Sequence, residues 1–338
     1  MDSPAHFGGK VFVFGGDFKQ ILPVVALGGK ADIINACLKF SYLWPSIRKL
    51  HLTDNVRADR QDAQFSNFQR YLDNIGNGRV NEHQNLINIE AGEFNVRIPN
   101  PNIDRSLNVQ QFTMNFYSNI PRAANNQFNS AILAPRNTNV DLINEKALEI
   151  FSPNQEATIY YSSDSLGPDE TEDLQLNITT EFLNSCNVSG LPLHMLRLKL
   201  GAIVILLRNI NPKKGLCNGV RMRVERLEQN FIVVRIISGK FANQTALLSK
   251  ITLTSSPQDR YPFIIQRHQL PIRLAYAMTI NKSQGQTLDQ VGLYLEDQVF
   301  THGQLYVALS RVRSIQSIKV YLGPGQENTK NVVYREVL

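Results

Sequence analysis

Cysteine is scarce in this chain of 338 residues, which has only three. Cys37, Cys186 and Cys217 lie far apart and have neither the short spacings of a metal site nor the even number of a disulfide framework. No apolar run approaches the ~20 residues that a membrane-spanning helix needs, and the first residues contain no apolar signal region. These absences argue against a disulfide-rich secreted protein and a membrane-spanning protein, and they favour free thiols in a reducing compartment.

The remaining composition is that of an ordinary globular protein. Hydrophobic residues make up 43% of the chain and charged residues 19%, which argues against a largely disordered chain. A length of 338 residues favours two or three domains. The net charge of +6 is mild, so it permits a polyanionic partner without establishing one.

An apolar run close to the start is followed by an unusual polar segment. Residues 11–14 (VFVF) are closed by Gly15 and Gly16, a pattern that predicts a buried parallel strand. The residues that follow would then lie at the carboxyl end of that strand, where ligands bind in open α/β sheets. A tight turn built on glycine and Asp17 would explain the glycines alone. It leaves the full pattern unexplained.

The segment GGDFKQILPVV, residues 15–25, resembles motif III of the Pif-type DNA helicases, relatives of RecD in helicase superfamily one. The resemblance implies that Gln20 senses the γ-phosphate of ATP and that Gly16 and Asp17 border the nucleotide. An amide both donates and accepts hydrogen bonds, so Gln20 suits contact with a phosphate oxygen and the attacking water. Residues 50–52 predict a second strand, and the segment they begin resembles motif IV, which implies that Arg57 reaches the ATP phosphates.

The phosphate-binding P-loop that such a helicase needs is not found in the sequence. The Gly-Lys pairs at Lys10 and Lys30 lack both the earlier glycine and the following Ser or Thr of G-x-x-x-x-G-K-[ST]. No apolar strand ends in the Asp-Glu pair of a magnesium site. The family carries both elements upstream of motif III. We therefore expect the chain to lack most of the first motor domain and to have negligible ATPase activity by itself.

The middle of the chain predicts the start of a second motor domain. Residues 131–135 predict a buried strand, and a helix is predicted to begin at Asn137. From residue 196 the pattern changes to short strands and turns, with a hairpin over residues 220–237, which predicts a small β-barrel.

An earlier helix is predicted from apolar residues at helical spacing, namely Phe65, Phe68, Leu72 and Ile75.

Residues 198–224 closely resemble the inserted barrel of Pif-type helicases, which is similar to the Src-homology-type barrel and closes over single-stranded DNA. The resemblance implies DNA contacts for Lys213 and Lys214, with Arg221 and Arg223 extending a basic rim. Taken singly, each of these cations is more typical of an ordinary soluble surface than of a DNA contact.

Residues 277–288 (AMTINKSQGQTL) are similar to the family's motif V, which couples single-stranded DNA to the ATP site. Lysine suits a backbone phosphate as a point charge, and glycine permits close approach of the backbone. Asn281 stands where many relatives have histidine. The resemblance implies DNA contacts for Lys282, Ser283 and Gln284 and nucleotide contacts for Gly285 and Gln286.

Thr301 and Gln304 form a capping-box pattern that predicts the start of a helix. Its end falls near Arg311, and residues 318–322 predict a closing strand. QLYVALSR, residues 304–311, resembles motif VI of the same family. The resemblance implies that Arg311 acts as a finger on the γ-phosphate and stabilises the charge of the transferring phosphoryl group.

Motifs III, V and VI and the barrel, found in this order, identify the chain as the C-terminal part of a Pif-type, 5′-to-3′ ATP-dependent DNA helicase. The predicted fold is α/β, with RecA-like motor domains, of which the first is partial, and an inserted small β-barrel. We expect residues 1–50 to be the remnant of the first motor domain and residues 196–270 to be the barrel. The second motor domain would comprise residues 51–195 and 271–338.

The resemblance also implies the cofactors and partners. These are ATP, Mg²⁺ and single-stranded DNA, with roles in DNA repair, recombination and telomere maintenance. We expect a monomer located in the nucleus, with the mitochondrion as the other possible place. An alternative of a different class is a non-catalytic remnant of a helicase or mobile element that binds single-stranded DNA without turnover.

Overall fold

The computed structural model of the chain describes residues 6–25, 28–52, 63–79, 86–88, 93–98, 102–120, 129–151, 154–168, 178–188, 190–237, 239–256 and 261–338. The α-helices in these ranges are α1 (Lys30–Asn35), α2 (Ala63–Gly76), α3 (Val109–Ser118), α4 (Asn137–Phe151), α5 (Thr180–Ser185) and α6 (Gln304–Leu309). Within the same ranges, none of the helices combines the length and apolar character needed to cross a membrane.

Strands are more numerous than helices, and most are short. They are β1 (Leu86–Asn88), β2 (Glu93–Arg97), β3 (Ala131–Ala134), β4 (Thr158–Tyr161), β5 (Ser163–Leu166), β6 (Met195–Leu198), β7 (Ile203–Leu206), β8 (Arg221–Leu227), β9 (Phe231–Ile236), β10 (Thr245–Ser249), β11 (Ile251–Thr254), β12 (Ile265–Gln269), β13 (Ile272–Leu274), β14 (Ala277–Thr279), β15 (Val291–Tyr294), β16 (Ile318–Tyr321) and β17 (Asn328–Val332).

A parallel sheet of order β14-β3-β15-β16 forms the centre of the fold. Alternate residues of β3 face opposite sides. Ile132 packs into a core with α3 and α4, whereas Leu133 packs into a second core with α2 and α6. Both faces are therefore covered, as parallel sheets require. The predicted α/β class is confirmed.

The helices that cover this sheet follow the predicted patterns. In α4 the buried residues include Val140, Ile143 and Ala147, which recur every three or four positions along one face. In α2 the side chains of Phe68 and Leu72 are buried, and the helix ends at its predicted glycine stop. The strand and helix predicted from residue 131 and the helix predicted before residue 76 are both confirmed.

The strands between β3 and β14 form separate antiparallel sheets. The largest has the order β10-β9-β8-β7-β13, and beside it are a three-stranded sheet (β11-β12-β5) and a two-stranded one (β4-β6). The hairpin predicted over residues 220–237 is confirmed by the β8–β9 pairing. A closed small barrel is not confirmed, because β10 and β13 are edge strands of the largest sheet in the described part of the chain.

The largest antiparallel sheet is joined directly to the parallel sheet. The chain passes from β13 to β14 within two residues, so β13 belongs to the inserted sheet although it was predicted to lie in the second motor domain. Arg221 of β8 reinforces the junction, since its Nη2 donates to Ser130 O at 2.9 Å and to Ala275 O at 3.0 Å. Arg221 is buried and does not form part of a basic rim. The other predicted domain boundaries stay predictions.

The two strands predicted in the first 52 residues do not form. Residues 11–14 have no regular structure, and Val11 and Val13 are 93% and 91% exposed. Residues 50–52 are likewise exposed and irregular. A strand needs a neighbour for its N–H and C=O groups. Within the described ranges, the sheets take no strand from residues 6–52.

Candidate functional site

Helix α6 forms the centre of the candidate site, and it begins later than predicted. Its N-cap is Gly303, whose φ of 74° lies in the left-handed region, so Thr301 is not the cap. Gln304 is fully buried and its Oε1 accepts from Phe300 N at 2.9 Å. Its Nε2 donates to Asn281 Oδ1 at 3.1 Å. Gln304 Oε1 also accepts from Thr301 N at 3.4 Å, so the glutamine half of the predicted capping box is present, and the same side chain ties α6 to the segment after β14.

Residues 17–20 form a tight turn, called here the 17–20 turn, which packs against the start of α6. Gln20 N donates to Asp17 O at 3.0 Å, and Lys19 N donates to Asp17 Oδ1 at 3.0 Å. A Cβ atom on Gly303 would lie 2.5 Å from Lys19 O and 2.6 Å from the carbonyl carbon of Gln20. Both the space and the φ angle therefore require glycine at position 303.

His302 attaches the same turn through its imidazole ring. The fully buried ring donates from Nε2 to Phe18 O at 2.7 Å and accepts at Nδ1 from Tyr334 N at 2.8 Å. Burial lowers the pKa of His302, although the Phe18 carbonyl and the charges of Asp17 and Glu336 oppose the shift. The ring is therefore neutral, with its proton on Nε2.

Tyr306 of α6 makes a third attachment, through its hydroxyl group. The hydroxyl donates to Asp17 Oδ2 at 3.1 Å, and the same carboxylate oxygen accepts from Gln20 Nε2 at 3.3 Å. Burial raises the pKa of Tyr306, and the nearby Asp17 charge raises it further. On the outer side, Lys19 Nζ donates to Asp73 Oδ1 of α2 at 2.7 Å. The turn is thus held by α6 and by α2.

The loop after β14, residues 280–286, lies next to this turn. Gln284 Nε2 donates to Gln20 Oε1 at 3.2 Å, so the predicted nucleotide sensor touches the predicted DNA-binding segment. Gly285 has a φ of 80° and open space where a Cβ would point. Lys282 is exposed. Partial desolvation lowers the pKa of Lys282, Arg273 lowers it further, and Asp141 opposes the shift.

Arg311 holds the 280–286 loop against α6. It lies two residues beyond the helix and is buried, with Nε donating to Val307 O at 2.8 Å. Its Nη1 donates to Gln286 O at 3.0 Å and to Ser283 O at 3.3 Å. The guanidinium therefore bonds two carbonyls of the loop and one of the helix. In this arrangement Arg311 is a structural link as well as a cation at the site.

Comparison with known proteins relates the sequence of this chain to one protein family. Residues 2–86 match the model described as PIF1-like helicase, and residues 181–227 match that of the DNA helicase Pif1, 2B domain. The chain is 41% identical to the human ATP-dependent DNA helicase PIF1 over 141 residues, which cover 40% of this chain and 20% of that protein. The chain is 28% identical to the Xenopus laevis ATP-dependent DNA helicase PIF1 over 328 residues, which cover 93% of this chain and 41% of that protein. In these segments the chain is similar to Pif1-like helicases.

Solved structures agree on the fold of this Pif1-like chain. The crystal structure of Pif1 helicase from Candida albicans has a TM-score of 0.61 at 20% identity and covers 95% of this chain and 66% of that one. The Bacteroides Pif1 structure bound to ssDNA has a TM-score of 0.60 at 24% identity, covering 93% and 62%. At these identities the likeness shows the fold alone, which is a RecA-like α/β fold. The chain spans about two fifths of the Xenopus relative, which it covers to 41%.

The structure brings most of the predicted site residues of this Pif1-like chain together, although their roles stay predictions. Lys213 and Lys214 are exposed on a short 3-10 helix of the inserted region, and Gly16 is exposed beside the 17–20 turn. Arg57 lies outside the described residues. The predicted residues that meet around α6 are Asp17, Gln20, Ser283, Gln284, Gly285, Gln286 and Arg311.

Two predicted contact residues take internal roles. Ser283 is fully buried and its hydroxyl donates to Ile280 O at 2.7 Å, so this side chain supports the loop and does not face outward. Gln286 Nε2 donates to Lys282 O at 3.0 Å within the same loop. Both side chains donate to backbone carbonyls of the same loop. Motif matching does not reveal such short-range bonds.

Sequence reasoning missed three residues of α6 and its N-terminus. His302 and Tyr306 were given no role, and Gly303 was passed over in favour of a Thr301 cap. Their partners lie in the 17–20 turn, nearly three hundred positions earlier in the chain, so no local pattern signals them. Gly303, inside the first turn of the predicted helix, was the one local clue, because glycine marks positions that need positive φ or close packing.

Proposed function

We propose that this chain works as part of an ATP-dependent DNA helicase that uses ATP hydrolysis to move along single-stranded DNA. The observation that carries the proposal is the hydrogen bond of 3.2 Å between Gln284 and Gln20. It joins the motif that the family uses on DNA to the motif that it uses on nucleotide. Relatives named ATP-dependent DNA helicase PIF1 support the same function.

The 280–286 loop is the proposed contact with the DNA strand. Lys282 and Gln284 are exposed, and the loop follows the carboxyl end of a parallel strand, where ligands bind in open α/β sheets. A lysine and an amide suit the phosphates and sugars of a nucleic-acid backbone. Lys213 and Lys214 provide a second contact. The Bacteroides Pif1 structure with bound ssDNA supports this assignment.

Gln20 and Arg311 are the proposed contacts with ATP. Their N–H groups match the acceptors of a polyphosphate, and the Gln20 amide can also orient a water molecule. Bound ATP supplies the phosphoryl group whose hydrolysis drives movement. Gly16, Asp17 and Gly285 border the same position. The structure of Bacteroides Pif1 in complex with ADP-AlF3 and ssDNA supports nucleotide and DNA binding by one protein of this fold.

Arg311 provides the proposed coupling between the two ligands. Its guanidinium bonds the carbonyls of Ser283 and Gln286, at 3.3 and 3.0 Å. A guanidinium that turned toward phosphate would have to weaken these bonds, because its donors point in fixed directions. The loop that carries Lys282 would then loosen. The affinity for DNA would therefore change with the bound nucleotide. This dependence is the coupling that a translocating motor needs.

Mg²⁺ is included in the proposal only because the resemblance to Pif-type helicases implies it. In the described part of the chain, no group of three or more His, Cys, Asp or Glu side chains could hold a metal ion. We therefore assign no residue to Mg²⁺.

The finer features are proposals of the same kind. They are 5′-to-3′ movement on single-stranded DNA, action as a monomer, and work in DNA repair, recombination and telomere maintenance. The nucleus, or the mitochondrion, is the proposed location. The similarity to Pif1 helicases supports each of them.

Binding to oligo-dT, measured by fluorescence anisotropy over a series of salt concentrations, tests the DNA contact. We expect the logarithm of the affinity to fall linearly with the logarithm of salt concentration. Lys282→Gln should weaken binding about tenfold and reduce the salt slope by about one. Lys146→Gln is the matched control, because Lys146 pairs with Glu149 on the surface of α4. Binding that does not depend on salt would contradict the proposal.

Nucleotide is tested separately, by adding ATP to the oligo-dT complex. We expect the affinity for oligo-dT to change, and we expect negligible ATP turnover by the 338-residue chain alone. Measurable DNA-stimulated turnover would contradict that second expectation. Salt-dependent DNA binding that ATP leaves unaltered would favour the alternative, a non-catalytic single-stranded-DNA-binding module.

A further inference from the structure

The Gln20 amide has a defined orientation, which Asp17 imposes. A carboxylate oxygen accepts hydrogen bonds, so the NH₂ end of the Gln20 amide has to face Asp17 Oδ2, 3.3 Å away. The carbonyl end then faces the 280–286 loop, where it accepts from Gln284 at 3.2 Å. If Asp17 turned away, the amide would lose the partner that distinguishes its two ends.

Tyr306 holds Asp17 in place. Its hydroxyl donates to the same Oδ2 atom at 3.1 Å, so Tyr306 and Gln20 meet on one carboxylate oxygen. The ring itself is tightly packed, because a Cβ on Gly76 at the end of α2 would lie 2.9 Å from Tyr306 Cδ2. The ring is partly buried and packs against the second core, so the hydroxyl projects from a packed side chain.

His302 holds the backbone of the same turn. Both ring nitrogens are engaged, with Nε2 donating to Phe18 O at 2.7 Å and Nδ1 accepting from Tyr334 N at 2.8 Å. Rotation of the ring would break both bonds. Phe18 lies between Asp17 and Lys19, so its carbonyl fixes the middle of the 17–20 turn relative to α6.

We propose that His302 and Tyr306 are positioning residues that set the orientation of the Gln20 side-chain amide. Tyr306 acts through the Asp17 carboxylate and His302 acts through the Phe18 carbonyl. The inference rests on the proposed function, in which Gln20 senses the nucleotide. It adds that the sensor is carried by α6, the helix that also holds Arg311 through Val307 O at 2.8 Å. The turn that carries Gln20 and the Arg311 side chain are therefore both bonded to α6 or its N-terminus.

Side-chain amide resonances of the ¹⁵N-labelled chain test this inference without nucleotide. We expect Tyr306→Phe, which removes one oxygen atom, to shift the Gln20 and Gln284 cross-peaks. His302→Asn keeps an acceptor for Tyr334 N but loses the donor to Phe18 O, so it should shift them as well. His302→Gln can keep that donor and should restore the wild-type positions. The cross-peaks of Gln269, whose Nε2 donates to Tyr160 O at 2.8 Å in another sheet, serve as the control.

The outcomes separate a positioning role from a general structural one. A structural role would lower the thermal midpoint and disturb Gln269 as much as Gln20. Gln20 cross-peaks that stay in place in Tyr306→Phe and His302→Asn would overturn the inference. If His302→Asn does not fold, Tyr306→Phe alone decides, because its loss is confined to one hydroxyl.

Failure of the proposed function has a different signature. ATP and oligo-dT are added to the wild-type chain, and the Gln20 cross-peaks are followed. Peaks that do not respond would count against nucleotide sensing. The variant shifts measured without ligand would still decide whether His302 and Tyr306 position the amide.

Discussion

Two short apolar runs with the same predicted structure have opposite fates in this molecule. Residues 11–14 (VFVF) and β3 (AILA) both read as buried parallel strands that end at a glycine or a proline. All four residues of β3 are completely buried, whereas Val11 and Val13 are more than nine-tenths exposed. The hydrophobic pattern therefore shows that a segment is able to be a core strand. It does not show that the segment has become one.

Pairing explains the difference. Strand β3 lies between β14 and β15, so its N–H and C=O groups bond on both sides, and its alternate side chains enter two cores. Residues 11–14 have no such neighbours among the described strands. Three residues later the chain is held again, because the 17–20 turn packs against α6. The boundary between the exposed and packed segments thus lies directly beside the candidate site.

The largest difference in the free energy of unfolding is expected when one charged side chain is placed in each apolar run. Leu133→Asp buries a carboxylate between β14 and β15 and should lower the free energy of unfolding by more than about 4 kcal/mol. Val13→Asp should change it by less than about 0.5 kcal/mol, because the side chain is already in solvent. Urea unfolding followed by circular dichroism measures both. Similar losses in the two variants would contradict the assignment of residues 11–14 to the exposed class.

A smaller effect is expected where the 17–20 turn joins the core. In Gly303→Ala the new Cβ would lie 2.5 Å from Lys19 O at a φ of 74°. We expect a loss of about 2–4 kcal/mol, from left-handed strain and displacement of the turn. Gly285→Ala is the control, since it has a φ of 80° but nothing near its Cβ. It should lose about 1 kcal/mol, from strain alone. Equal losses in urea unfolding would mean that the turn does not pack on α6.

Acid should weaken the same junction through His302. Burial lowers the pKa of this imidazole in the folded chain, so the unfolded chain takes up the proton more readily. The free energy of unfolding therefore decreases as the pH falls below the ordinary histidine value of about 6.5, and it is fully retained above that value. The loss is complete once the pH has passed below the lowered pKa of the folded state.

The matched variant His302→Gln has no group that titrates in this range. Between pH 7.5 and 5.5 the wild-type chain should lose up to about 1 kcal/mol more than the variant. Urea unfolding at the two pH values gives the difference, and the other histidines cancel because both chains contain them. An identical pH dependence would show that His302 is already protonated or solvated in the folded chain.

The smallest effect on stability is expected from polar substitutions in the exposed run. Val11→Ser with Val13→Ser should leave the free energy of unfolding within about 0.5 kcal/mol of the wild type. Light scattering should show less self-association, because an exposed apolar segment promotes it. The same double change placed at Ile132 and Leu133 of β3 should prevent folding. A destabilised Val11→Ser, Val13→Ser chain would show that residues 11–14 are packed.

Elements with strong local periodicity were predictable from the sequence. The strand at residues 131–134, helices α2 and α4 and the β8–β9 hairpin each bury a face that local spacing defines. The barrel was not confirmed, since closure depends on which edge strands pair. Arg221 was expected on a basic rim, but it is buried. Its partners Ser130 and Ala275 are distant in the sequence, so no local pattern could predict their contact with Arg221.

The site shows the same division. Motif matching assigned Gln20 and Arg311 to the nucleotide and Gln284 to DNA, and these roles stay predictions. In the structure Gln284 bonds Gln20, and Arg311 bonds carbonyls of the loop that carries Gln284. Their supports were out of reach, because His302 and Tyr306 bond residues of the 17–20 turn that only the fold brings near. A motif predicts which groups meet a ligand. The contacts that orient those groups are set by long-range packing.

Hydrogen–deuterium exchange with and without oligo-dT tests the central claim most directly, because it maps the proposed DNA contact onto the chain. We predict that oligo-dT slows amide exchange in peptides covering residues 280–288 and, through the Gln20–Gln284 bond, in those covering residues 15–22. Peptides covering residues 11–14 should exchange at the same rate in both samples. Tight, salt-dependent binding of oligo-dT that leaves exchange in residues 280–288 unaltered would contradict the account.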